Sequence, residues 1–180
     1  MRPGHKGALA VALALAAIVA AGCGYSPGKT GDEGTPIELG SMEFNVQLTR
    51  FLNPTDPEDK QYLVGQRLPP ASDQAYLAVF MTMKNKGDAS TTIPTAAQMT
   101  VTDTTGAGYQ AVASSTPFAA PLGAPLAGGG EIPVADSPAA SGPAQGSVVL
   151  FYVPQGITEN RPLELEIQHQ GETGTIKLDI

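Results

Sequence analysis

Apolar and polar side chains alternate without a break from Met42 to Thr49 (Met-Glu-Phe-Asn-Val-Gln-Leu-Thr). A period of two puts successive side chains on opposite faces of an extended chain, so this segment predicts a strand with one dry face and one wet face. Leu163–Gln168 and Ile176–Ile180 alternate in the same way. Two further runs, Tyr76–Met83 and Val148–Val153, are apolar at almost every position, the pattern of central strands covered on both faces. Gln98–Thr102 is a shorter strand candidate. Turn-forming residues stand between these runs: Asn85-Lys86-Gly87-Asp88, Asp103–Gly108, and Gly171-Glu172-Thr173-Gly174, the last expected to close a hairpin. No helical stripe competes with them beyond the first residues. Short strands punctuated by turns predict an all-β, antiparallel β-sandwich. Its core is expected from Phe44, Val46, Leu48, Leu77, Val79, Met81, Val149, Phe151, Leu165, Ile167, Ile176 and Leu178.

The chain has no Trp and a single cysteine, so neither a disulfide nor a packed indole holds that core. The lone cysteine has a place of its own. Arg2 and Lys6 precede an apolar run from Ala8 to Ala21, and Val19-Ala20-Ala21-Gly22 leads directly into Cys23. A positive start, an apolar segment too short for a bilayer of roughly 30 Å, and small residues at the end make a secretory signal. Small residues immediately before a cysteine resemble a bacterial lipobox, although Ala20 stands where Leu is usual. The expectation is cleavage after residue 22, lipid attachment at Cys23, and a protein held on the extracytoplasmic face of the cell membrane. Residues 23–40, rich in Gly, Pro, Ser and Thr, read as a flexible tether, with the globular domain at 41–180. Inside that domain residues 113–145 carry six prolines and two charges, Glu131 and Asp136, and are expected to stay out of the sheets. Phe118, Leu122, Leu126 and Ile132 on this segment are expected to be exposed and to contact a partner.

The run Ala75–Gly87 with its Asn-Lys-Gly turn, Val101-Thr102-Asp103 followed by Gly106 and Tyr109, and Gly146–Pro154 with its Val-Pro end resemble a family of bacterial extracytoplasmic domains of unknown function. Members are often lipoproteins with an immunoglobulin-like sandwich, and the family is similar to a secreted immunoprotective antigen of mycobacteria. The resemblance spans about residues 41–180 and implies an immunoglobulin-like fold. Its motifs are structural, so it implies no activity. The segment 113–145 is longer than the family usually carries.

Loss of residues 1–22 removes Arg2 and Lys6, leaving 8 basic against 17 acidic side chains and a formal charge of −9. A chain this acidic lacks the basic face that phosphate contacts require, so nucleic acid is not an expected partner. Membrane affinity is left to the lipid. Cleavage also leaves one histidine, His169, which excludes a His/Cys zinc site; placed at the end of a wet strand face, it is expected to be solvated. No Gly-x-Ser-x-Gly elbow and no phosphate loop accompanies it. Asp56, Glu58 and Asp59 are the candidates for a cation, with a solvated acidic turn as the expected state and no cofactor required. Glu164 and Glu166, two apart on one strand, suggest the paired carboxylates of a hydrolase. Two readings follow: a monomeric, non-enzymatic module that binds an envelope protein, glycan or lipid, and an extracytoplasmic hydrolase using surface carboxylates.

Overall fold

The computed structural model of the protein describes residues 29–66 and 71–180. The leader, Cys23 and residues 24–28 lie outside the described residues. In chain order the strands are β1 (Lys29–Asp32), β2 (Ile37–Leu39), β3 (Met42–Leu52), β4 (Gln74–Asn85), β5 (Thr91–Thr92), β6 (Met99–Thr102), β7 (Gly108–Val112), β8 (Pro125–Leu126), β9 (Glu131–Ile132), β10 (Ser147–Pro154), β11 (Leu163–His169) and β12 (Glu172–Leu178). Two single-turn helices, α1 (Pro57–Lys60) and α2 (Pro138–Ser141), interrupt them. Every expected strand is present, and the architecture is the expected sandwich of the immunoglobulin-like kind.

Strand order runs β1-β12-β11-β6-β7-β10-β4-β3-β2. The path folds into two layers at β7, which pairs with β6 through Gly108–Gln110 and with β10 through Ala111 and Val112. A strand that changes sheets in this way makes the corner of a sandwich. All pairs along this path are antiparallel except β1 with β12. Between the layers lies one apolar core, which includes Phe44, Val46, Leu77, Val79, Met81, Val149, Phe151, Leu165, Ile167 and Ile176.

Leu48 departs from expectation: it is 37% exposed, while its neighbour Thr49 is buried. The register of β3 against β4 slips between Val46 and Leu48, so Gln47 is an extra residue and the inward phase moves by one. A bulge has this effect on every side chain beyond it. The last hairpin differs by a smaller shift. Its turn is the two-residue pair Gln170-Gly171, both with positive φ (50° and 80°), and Glu172–Gly174 belong to β12. Two successive positive φ values match the right-handed twist of the strands they join.

The stretch expected as a tether is partly folded. β1 joins β12, with Lys29 opposite Gly174, and β2 joins the edge of β3. Ile37 and Leu39 enter the core. Low apolar content hid two short strands whose few side chains are well placed; the fold begins by Lys29.

The segment 113–145 also differs from expectation. Leu126 and Ile132 are buried in the core between the sheets, and Leu122 packs against it. Phe118 lies on a second apolar cluster with Tyr62, Phe80, Val148 and Leu150, on the outer face of β4 and β10. Its ring meets Tyr62 edge-on at 4.9 Å. The four residues expected to reach for a partner face inward instead. Prolines do not prevent pairing here because the pieces are two residues long: β9 continues the edge of β4 beyond β10, and β8 pairs with β5. Proline is tolerated at such edges, where its missing N–H is not needed.

Asn85, read above as a turn residue, is fully buried and fastens this segment to the end of β4. Its Nδ2 donates to the carbonyls of Ala89, Leu126 and Ala127 at 2.8, 3.1 and 3.0 Å, and its Oδ1 accepts from Gly87 N–H. Replacing it strands several buried polar groups, each worth about 1–3 kcal/mol. Asn85→Ala is expected to lower unfolding free energy by about 3 kcal/mol in urea titration, and Phe118→Ala by about 2 kcal/mol. Unchanged stability in both would contradict the packed role of residues 113–145.

Candidate functional site

The acidic turn after β3 is a folding device. Asp56 Oδ1 accepts from the N–H groups of Glu58 and Asp59 and so caps α1. Asp59 is buried, with Oδ2 accepting from Asn53 N–H at 2.7 Å and Oδ1 lying 2.8 Å from Arg50 Nη2. Glu58 stands 3.4 Å from the same nitrogen. Arg50 in turn lies over the rings of Tyr62 and Phe80, at 5.7 and 5.8 Å from their centroids. Two of the three carboxylates serve one guanidinium and the third serves a helix end. They do not converge on a point where a cation would sit. The cation they meet is Arg50, which lies eight residues before Glu58.

His169 is buried, contrary to the expected solvated state. Along β11 it keeps the phase of Leu163, Leu165 and Ile167, which point inward. Its ring meets Phe44 edge-on at 6.0 Å, and Nε2 lies 3.4 Å from Thr91 Oγ1. Thr91 Oγ1 also accepts from Gln170 Nε2 at 3.0 Å. Burial disfavours the charged imidazole and holds its pKa below 6.5, while the negative charge of Glu172 opposes this. Glu172 is itself held below the ordinary carboxylate value, first by Gly40 N–H donating to it at 2.7 Å and then by Lys29.

Glu164 and Glu166 sit on the outer, wet face of β11, where their cross-strand neighbours are Thr102 and Lys177, and Thr100 and Thr175, respectively. Glu166 accepts from Gln168 Nε2 at 2.8 Å. Glu164 borders a small open groove of about 200 Å³ with Thr30, Asp32, Thr175 and Lys177.

Two larger open grooves lie among the described residues. One, of about 500 Å³, lies where the edge of β4 passes from β10 to β9 across Thr82; Glu131, Val134, Ala140 and Gln145 border it. The other, of about 430 Å³, opens beside the start of β4. The buried Leu52 and Tyr76 line it together with Pro54, Ala75, Asn53 and Gln155. An apolar floor with a few neutral hydrogen-bonding groups is the ordinary composition of a small-ligand site. Tyr76 meets Tyr152 at 5.3 Å between ring centroids; burial, with that neighbour's contribution, raises its phenol to about 12, so it stays neutral at physiological pH. Three distant segments build this groove, and no local motif marks it. We take it as the candidate site.

No protein-family model and no curated protein matches the chain. Solved structures do. An uncharacterised β-sandwich protein from Clostridium difficile superposes with a TM-score of 0.50 at 15% identity, over 84% of this chain and 95% of that one. A functionally unknown protein from Listeria monocytogenes gives 0.50 at 6% identity, over 83% and 84%. The secreted Mycobacterium tuberculosis protein MPT63 gives 0.46 at 14% identity, over 85% and 98%. The first two establish what this chain is similar to in fold.

The buried histidine makes a pH prediction. Its folded pKa lies below the unfolded value of 6.5, so as pH falls through that value the unfolded chain binds a proton that the folded state resists. Stability is therefore lost on acidification from about pH 7 toward 5, above the range where the carboxylates titrate. Melting temperature is expected to fall across that window, and His169→Gln to flatten the fall. An equal slope in both proteins would assign the loss to other groups.

Proposed function

We propose that this protein is a lipid-anchored envelope protein, a monomeric, non-enzymatic binding module on the outer face of the membrane. The observation that carries the reading is the leader ending in Val19-Ala20-Ala21-Gly22 before the one cysteine of the chain. Lipid on Cys23 supplies membrane affinity that a mature charge of −9 does not, and several acyl chains anchor stably where one does not. The sandwich serves as a rigid support. Its ligand, an envelope protein, glycan or lipid, is taken through neutral chemistry, with the groove beside Leu52, Tyr76 and Gln155 as its seat. The reading as a binding module is supported by the structural employment of Asp56, which caps α1, of Asp59, which pairs with Arg50, and of His169, which packs against Phe44.

In a bacterial host, the protein is expected to incorporate labelled fatty acid, and Cys23→Ala to abolish incorporation and retain the uncleaved leader on gel mobility. Label retained in the Ala variant would overturn the lipoprotein reading.

A further inference from the structure

Thr91, His169 and Gln170 meet at one end of the sandwich, although 79 residues separate the Thr91 hydroxyl from the amide it touches. Thr91 Oγ1 accepts from Gln170 Nε2 at 3.0 Å and stands 3.4 Å from His169 Nε2. A hydroxyl with a carboxamide on one side and an imidazole nitrogen on the other has the parts of an acyl transfer: nucleophile, electrophile and base. We propose that Thr91 and Gln170 become joined by a side-chain ester, which the folded protein forms on itself with His169 as the base. The bond is independent of lipid on Cys23 and of any ligand in the groove beside Tyr76.

The step balances as a transacylation. Thr91 Oγ1 gives its proton to His169 Nε2 and attacks Gln170 Cδ. The adduct collapses as the imidazolium passes that proton to Gln170 Nε2, which leaves as ammonia. One C–O bond forms, one C–N bond breaks, and nothing is oxidised or reduced. Ammonia takes up a proton and diffuses away, which draws the exchange toward the ester. An amide is a poor acyl donor, so position supplies the rate. One C–N bond of about 1.33 Å separates Cδ from Nε2, so Cδ lies within about 4.3 Å of the hydroxyl. The contact between Thr91 and His169 is a little longer than the roughly 2.6–3.2 Å of a closed nucleophile–base pair, and such contacts tighten in the reacting state.

The fold holds each part in place. Thr91 lies on β5, opposite Leu126 of β8. His169 ends β11 with its ring against Phe44. Gln170 has a φ of 50° at the turn into β12, and Gly40 leaves room for its amide, because a Cβ there would collide with Gln170 Oε1. Burial lowers the pKa of His169 and keeps a neutral ring ready for a proton, while the negative charge of Glu172 favours the imidazolium that forms. β5 follows β4 of one layer, and Gln170 turns between β11 and β12 of the other, so the ester ties the two layers together. A single cysteine excludes an intramolecular disulfide, and an ester over this span restricts the unfolded chain as a disulfide does.

The test uses the full-length protein, purified from a bacterial host, denatured, and cut with trypsin and then with a glutamate-specific protease. Fragments Gly87–Glu131 and Ile167–Glu172 carry Thr91 and Gln170. They are expected as one species, lighter than the two together by about 17 Da, the mass of the ammonia lost in acyl transfer, and parted by hydroxylamine, which cleaves esters. Thr91→Ser is expected to keep the joined species. Thr91→Val and Gln170→Ala are expected to give separate fragments; both positions lie outside the buried core, so both variants fold. His169→Gln, with folding checked by near-ultraviolet circular dichroism, is expected to lower the joined fraction by about tenfold or more. Separate fragments from the unmutated protein overturn the ester. A joined species that survives Thr91→Val or resists hydroxylamine overturns its chemistry, and one undiminished in folded His169→Gln overturns the role of the base.

Discussion

Strands β4 and β10 cannot be wet on either face, and the rest of the molecule is arranged around that fact. Paired over eight residues from Ser147 opposite Met81 to Pro154 opposite Gln74, they present Leu77, Val79, Met81, Val149 and Phe151 to one side and Ala78, Phe80, Val148 and Leu150 to the other. The first side meets the second sheet, as in any sandwich. The second side requires a cover that a two-layer sandwich does not supply. Here α1 and the turn that follows it bring Tyr62, while the Pro-rich segment brings Phe118 and Ala144. What looks in the sequence like a loose insertion is the third layer over half of the molecule.

Covering an apolar face with irregular chain raises a second demand, since the cover's own backbone polar groups need partners. Elsewhere along the chain the same demand is met by Asn85, which holds the carbonyls of Ala89, Leu126 and Ala127 around its one amide nitrogen. Ala120 N–H and Val148 N–H meet more of it by bonding along β10 to Val148 O and Phe118 O. On the other flank, Arg50 links the cover to the sheet: its guanidinium lies over the rings of Tyr62 and Phe80 and pairs with the buried Asp59. Guanidinium suits this position because stacking and ion pairing use different parts of the group. The candidate groove lies where this cover stops, at Leu52 and Tyr76, the last pair along β3 and β4.

Local pattern determined the strands, because a period of two is written in adjacent residues. Met42–Thr49, Tyr76–Met83, Val148–Val153 and Leu163–Gln168 are all strands where alternation or continuous burial placed them, and the sandwich follows from their number and spacing. The apolar run that ends at Cys23 is likewise a pattern of contiguous residues. Tertiary structure alone decided which residues fill the gaps left by these strands. Lys29–Asp32 has no apolar residue and Ile37–Leu39 is only three residues long, so neither announces itself, and both become strands because β12 and β3 offer them free edges. Leu48 turned outward because one added residue at a bulge inverts the phase, a change no alternation can show in advance. Phe118, Leu122, Leu126 and Ile132 were correctly seen as apolar, but whether an apolar residue faces a partner or its own core depends on surfaces contributed from far along the chain. The same reason kept the groove invisible. Its residues come from 52–54, 71–76 and 155, and a site built by long-range contact exists in no single stretch of sequence.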